Sequence, residues 1–132
     1  MTASPSLHAA RVQLVRTALL LLRSEREVSA PRGGELRPDG ARQMRWYSYD
    51  PALMSGMDAA VELTRGDPDY LANFPAVKDV SPSSASLEEL GTRFTYIIRG
   101  ERFFDGHIDT YVKSGELQLL FERLLELVPD GI

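Results

Sequence analysis

"RGERFFDGHID", residues 99–109, is the stretch on which the fold turns. Two arginines, three acids, a histidine and two phenylalanines share its eleven positions. As an active site it points to an enzyme; as a corner it joins two helices of an all-α fold. Its flanks favour the corner. Upstream, Ser86-Leu87-Glu88-Glu89 has the spacing of a capping box. The helix it opens runs to about Arg99, with Leu90, Phe94, Ile97 and Ile98 inward, and Gly100 permits a break. Downstream, Phe104, Ile108, Tyr111 and Val112 define a short helix ending at Gly115. A last helix from about Glu116 to Val128 carries Leu117, Leu120, Phe121, Leu124, Leu127 and Val128 on one side, and Pro129 stops it. The corner reading carries detailed expectations. Arg102 pairs with Asp105, Arg99 pairs with Glu101 or Glu89, and Asp105 caps the following helix. Asp109 is solvated, and Phe103 or Phe104 enters the core.

Towards the N-terminus, residues 1–5 read as a disordered start. Leu7, Ala10, Leu14, Val15, Ala18, Leu19, Leu21 and Leu22 then follow helical spacing from about Ser6 to Arg23, starting near Pro5. Residues 29–43, "SAPRGGELRPDGARQ", hold two prolines and three glycines and read as a flexible loop. "MRWYSYD", 44–50, suits a short extended piece laid on the core. Asp50-Pro51 is a helix start: the carboxylate accepts from free backbone N–H groups, and proline occupies a position that needs no donor. Leu53, Met54, Met57, Ala60 and Val61 form the inner face of that helix, and Gly66 closes it. Methionines at this spacing are core filler. Asp67-Pro68 begins a short turn carrying Tyr70, Leu71 and Phe74, and residues 77–86 form a linker. Residues 1–132 thus read as a single small all-α domain of five to six helices with an irregular aromatic-containing loop. Any β-structure is confined to residues 28–50, as a hairpin at most.

Charge is unevenly placed. Residues 1–66 hold nine basic and seven acidic side chains, net +2, whereas residues 67–132 hold six and twelve, net −6. A field of that sign repels phosphate backbones, so a nucleic-acid partner is not expected, and it suits a protein partner with a basic surface. The chain has no cysteine, which excludes disulfides, thiolate zinc sites and thiol nucleophiles. No run approaches the ~20 apolar residues of a membrane span. Arg16 breaks the apolar run of residues 1–24, and charged residues separate it from Val28-Ser29-Ala30. The segment therefore reads as an amphipathic helix of a cytoplasmic protein, not a cleaved leader.

Three constellations are candidate sites. Asp105, His107 and Asp109 invite a metal, but at ~100° per residue His107 lies about 200° around from Asp105, so the three do not converge. No metal or other cofactor is expected. Arg99, Glu101, Arg102, Asp105 and His107 could bind a small anion, since paired arginines hold phosphate or carboxylate bidentately. Against this, helix corners commonly use such groups as pinning ion pairs. Trp46, Tyr47 and Tyr49, flanked by Arg42 and Arg45, resemble an interface platform, or rings that plug the core. The chain lacks a glycine-rich phosphate loop, a Gly-x-Ser-x-Gly elbow and His-Glu-x-x-His.

Arg99, Glu101, Arg102, Phe103, Asp105, Gly106 and His107, with Ser114-Gly115 and the leucine-rich final helix, resemble the end of a bacterial domain-of-unknown-function family, number 6508. The resemblance extends over residues 44–128, including "YDPALM". A frequent cysteine of that family is Phe104 here, and the resemblance implies a bacterial source and a small helical fold without implying an activity. On these grounds the expected function is a non-catalytic protein-interaction or regulatory module, of which an immunity or antitoxin-like partner is one form. The alternative is a small anionic-ligand-binding protein or enzyme using the Arg99–Asp109 corner.

Overall fold

Each apolar periodicity becomes a helix in the structure. The computed structural model describes residues 6–24 and 26–128. Among them are six α-helices: α1 (Leu7–Arg23), α2 (Pro51–Thr64), α3 (Tyr70–Val77), α4 (Leu87–Gly100), α5 (His107–Lys113) and α6 (Glu116–Leu127). Two short strands, β1 (Ser29–Gly33) and β2 (Arg45–Tyr49), and a 3-10 turn at Pro82–Ser84 complete the order. The start assigned to residues 1–5 and the stop at Pro129 lie outside the described residues.

The helix ends follow from their side chains. The Ser6 hydroxyl accepts from the Ala9 N–H, and Asp50 accepts from Ala52 ahead of Pro51. Ser86 and Glu89 form the full capping box, each accepting the other's backbone N–H. The core is one cluster. Val12, Val15 and Ala18 of α1 meet Leu53, Met57 and Ala60 of α2; Leu90, Phe94 and Ile97 of α4 meet Leu117, Leu120, Phe121 and Leu124 of α6. Gly56 of α2 lies directly on Ala18 of α1, where a methyl group would collide, so the two helices pack closer here than a larger residue would allow. Arg93 of α4 is 2% exposed, bonding the Val80 carbonyl at 2.5 Å and Glu116 at 2.6 Å. Leu7 and Leu14, assigned to the apolar face of α1, remain exposed, because that stripe is wider than the contact α1 makes.

Residues 29–43 are not a loop throughout. β1 occupies 29–33 and pairs antiparallel with β2, with Ser29 opposite Tyr49, Pro31 opposite Tyr47 and Gly33 opposite Arg45. The prolines and glycines signal irregular structure, but Pro31 sits on an outer edge, where no ladder donor is required. The aromatic residues of 45–49 supply the strand propensity. The hairpin lies outside the helical core and carries its aromatic side chains to the corner after α4.

Candidate functional site

Helix α4 ends at Gly100, and the chain turns back within six residues. The N–H groups of Phe103 and Phe104 both bond the Gly100 carbonyl at 3.0 Å. Gly106, at φ +81°, opens α5 in a conformation that suits glycine, and the Tyr47 ring lies where its Cβ would stand. Glu101 organises the turn. Its Oε2 accepts from the Gly106 N–H at 2.9 Å, and its Oε1 from the Ile108 N–H at 2.8 Å and the Tyr49 hydroxyl at 2.7 Å. It thereby satisfies free donors at the start of α5 from a position five residues upstream. Asp105, expected in that role, is exposed, and no side-chain cap bond reaches α5 from its adjacent residue. The turn tightens so early that Glu101, not Asp105, faces the helix start.

The hairpin docks on this carboxylate. The Tyr49 hydroxyl donates to Glu101 and accepts from the Asp109 N–H at 3.2 Å. Burial, then the Glu101 hydrogen bond, pushes the phenol well above the ordinary tyrosine range. Ser29 of β1 donates to Oδ1 of Asp109, whose Oδ2 meets Lys113 at 3.1 Å. The partnership with Asp109 raises Lys113 in turn. Asp109 was expected to be solvated; it is 5% exposed because the hairpin covers it. Tyr47 stacks on Tyr49 with ring centroids 6.1 Å apart.

The arginines and phenylalanines depart from the corner's expected chemistry. Neither Arg99 nor Arg102 forms an ion pair with a described residue, so the pairs assigned to Glu101, Glu89 and Asp105 do not form. Glu101 and Glu89 are taken up by backbone N–H groups instead. Arg99 leaves the corner, its guanidinium 5.6 Å from the centre of the Tyr70 ring. There it lines a groove of about 530 Å³ with Arg65, Gly66, Thr95 and three carboxylates, Asp58, Glu62 and Asp67. Phe103 and Phe104 do not enter the core; they are 72% and 68% exposed. Ile108, four residues after Phe104, is the corner residue that enters the core, at 1% exposure. Phe104→Ala is therefore expected to change stability by no more than about 0.5 kcal/mol, as at ordinary surface positions. A urea melt checks this, and a loss of several kcal/mol would return Phe104 to the core.

His107 sits among rings, with Tyr96, Tyr111 and Phe104 at centroid distances of 5.1, 5.3 and 6.4 Å. Its imidazole lies flat on Gly100, which no larger residue could replace without displacing it. Its Nε2 is buried without a hydrogen-bond partner, and burial pushes its pKa below 6.5, against the nearby Glu101 and the Tyr96 carbonyl. The Tyr111 phenol is pushed up to about 12 by the same burial. The unfolded chain binds the His107 proton more readily, so this residue's contribution is intact above the ordinary histidine value and declines as pH falls through it. His107→Phe, which keeps a ring, is expected to flatten the dependence of melting temperature on pH between roughly 7 and 5. A variant whose profile runs parallel to that of the parent would assign the dependence to another group. Asp67, held below the usual carboxylate range by hydrogen bonds from Asn73 and Thr92, acts only at lower pH, where its protonation removes stability.

Trp46, on the other face of β2 from Tyr47 and Tyr49, is 48% exposed and folds over Gly33. With Tyr47, Pro31, Arg32, Gly33 and Asp105 it borders a groove of about 520 Å³ between hairpin and corner. Of the eight candidate residues, Glu101 and Tyr49 hydrogen-bond and Tyr47 stacks beside them. His107 is enclosed next to that group, Trp46 and Asp105 face the groove, Arg102 is exposed, and Arg99 is elsewhere. Ser29 and Lys113 belong to the network and were missed, and Asp109 belongs to it instead of facing solvent. The i,i+4 spacing of Asp109 and Lys113 was visible, but the partnership with Ser29, eighty residues away, was not. No group of three or more potential metal ligands occurs among the described residues.

Residues 72–130 match the model of a family of unknown function, DUF6508. Neither a curated protein nor a solved structure matches. The DUF6508 segment begins inside α3 and contains Arg99, Glu101, Arg102, Asp105 and His107, while the hairpin that docks on them precedes it.

Proposed function

We propose that this chain is a non-catalytic protein-interaction module, regulatory in character and acting in the bacterial cytoplasm, that meets its partner through the aromatic surface of hairpin and corner. The observation that carries the reading is the exposure of Phe103 and Phe104, which directly precede Asp105, a residue that lines the groove together with Trp46. Large apolar side chains held together in solvent mark surfaces that another molecule covers, and aromatic residues are favoured anchors there. The polar network beneath is consistent with this role, since it spends Glu101, Asp109 and Tyr49 on holding the surface in shape. The net charge of −4 draws a basic partner from a distance, whereas Arg32 and Arg102 at the surface itself make the contact mixed in charge. An immunity or antitoxin-like protein that occludes its target is one form such a module takes.

A photo-crosslinking residue at position 104, in the cells that carry the gene, is expected to trap a discrete adduct with another protein. Trp46→Ala should weaken the adduct, and the same probe at exposed Leu71 should trap none. Equal yields from both positions would overturn the reading. A second reading, a small anionic ligand, is favoured by one observation: Arg65 and Arg99 line one groove, and neither forms an ion pair with a described residue. Three carboxylates in the same groove oppose it. Stabilisation by phosphate or citrate that Arg99→Ala abolishes would move the function there.

A further inference from the structure

The two outer edges of the hairpin are built differently. The Asp50 N–H bonds the Val28 carbonyl at 2.8 Å. Antiparallel ladders alternate, so Ala30 and Ser48, and Arg32 and Trp46, are the hydrogen-bonded pairs. Tyr47 and Tyr49 therefore turn their N–H and C=O groups away from β1. Opposite Tyr47, Pro31 has no N–H and interrupts the outer edge of β1. The run Trp46-Tyr47-Ser48-Tyr49 on β2 has neither proline nor charge. Proteins guard sheet edges with prolines and charged side chains; here Pro31 guards one edge, and between Arg45 and Asp50 the other carries neither device. A two-stranded hairpin alone is also marginal in water, and a third strand strengthens it.

We propose that β2 pairs antiparallel with β2 of a second copy of this chain, about a two-fold axis at Tyr47, to give a four-stranded sheet in the order β1-β2-β2-β1. The edge is self-complementary in this register. Trp46 stands opposite Ser48 of the second copy, large against small, Tyr47 opposes Tyr47, and no like charges meet across residues 46–48. Pro31 at each outer edge stops further addition, so the pairing closes at two copies instead of growing into a fibre. The dimer uses the edge of β2, not its aromatic face, and does not rest on the partner reading above.

Light scattering on the purified chain is expected to give twice the 14.7 kDa of one copy. Tyr47→Pro, which deletes an outward backbone donor together with the ring stacked on Tyr49, should reduce that mass to one copy. Tyr47→Ala, which loses the ring alone, should keep the dimer, with the helical circular dichroism persisting in both. The register is tested without relying on those variants, because the parent chain has no cysteine. Trp46→Cys mixed with Ser48→Cys should oxidise to a mixed disulfide dimer, and each variant alone should crosslink far less. A parent chain of single-copy mass up to its solubility limit would overturn the proposal and leave the edge to a different protein. So would crosslinking that is equal in all three samples.

Discussion

Arg93→Ala is expected to be the most damaging polar substitution in this chain, costing about 3–5 kcal/mol. The guanidinium is almost wholly buried, with its charge answered by Glu116 and a donor placed on the Val80 carbonyl. Truncation leaves a carboxylate and a carbonyl facing each other across a void, and neither finds a replacement donor inside the protein. It also unties α4 from the start of α6 and from the segment that leads into its own capping box. Chemical denaturation checks the figure. A loss below about 1 kcal/mol would mean that water enters and satisfies both groups. Arg93→Met, which keeps the volume and drops the charge, should cost as much unless Glu116 swings out to solvent, and the difference between the two variants measures that freedom.

Glu101→Ala comes next, at about 3 kcal/mol, with a fall in melting temperature on the order of 10 °C. Three donors lose their acceptor together: two backbone N–H groups at the start of α5 and the Tyr49 hydroxyl. Gly106 and Ile108 are buried and Tyr49 is half-buried, so the loss is smaller than three fully buried orphans would give. Glu101→Gln should recover part of it, because the amide oxygen still accepts. The measurement also decides what the corner is for. Polar residues of an active site are often held at a cost to stability, so an active site would keep or raise its melting temperature in the alanine variant. A structural corner loses it.

The helices were legible because burial follows periodicity. Leu90, Phe94 and Ile97 face the core where the 3.6-residue repeat places them, and Asp50-Pro51 and Ser86-to-Glu89 are local rules that act within one turn. The corner was legible in kind and misread in detail. Its composition announced a dense polar junction, but which acid caps α5 depended on how tightly the chain turned, and proximity in sequence favoured Asp105 over Glu101. The phenylalanines were misplaced because apolar residues next to a helix start are usually core, while here Ile108, inside the helix, is the residue that goes in. The hairpin was hidden for another reason. Strand pairing is a long-range relation, and prolines and glycines on an outer edge look the same in sequence as those of a loop. Asp109 was misjudged with it, since its burial depends on Ser29 and Tyr49 arriving from eighty and sixty residues away.

Those separations also set the order in which the molecule can assemble. Glu101 reaches Gly106 and Ile108 across five and seven residues. Closing so short a loop costs little chain entropy and needs nothing from the rest of the protein. The bonds from Tyr49 to Glu101 and from Ser29 to Asp109 close loops of fifty-two and eighty residues. The corner is thus a landing that forms early, and the hairpin is a late arrival that finds its acceptors already in place. Tyr49→Phe and Ser29→Ala should accordingly speed unfolding and leave the refolding rate nearly unchanged, whereas Glu101→Ala should slow refolding as well.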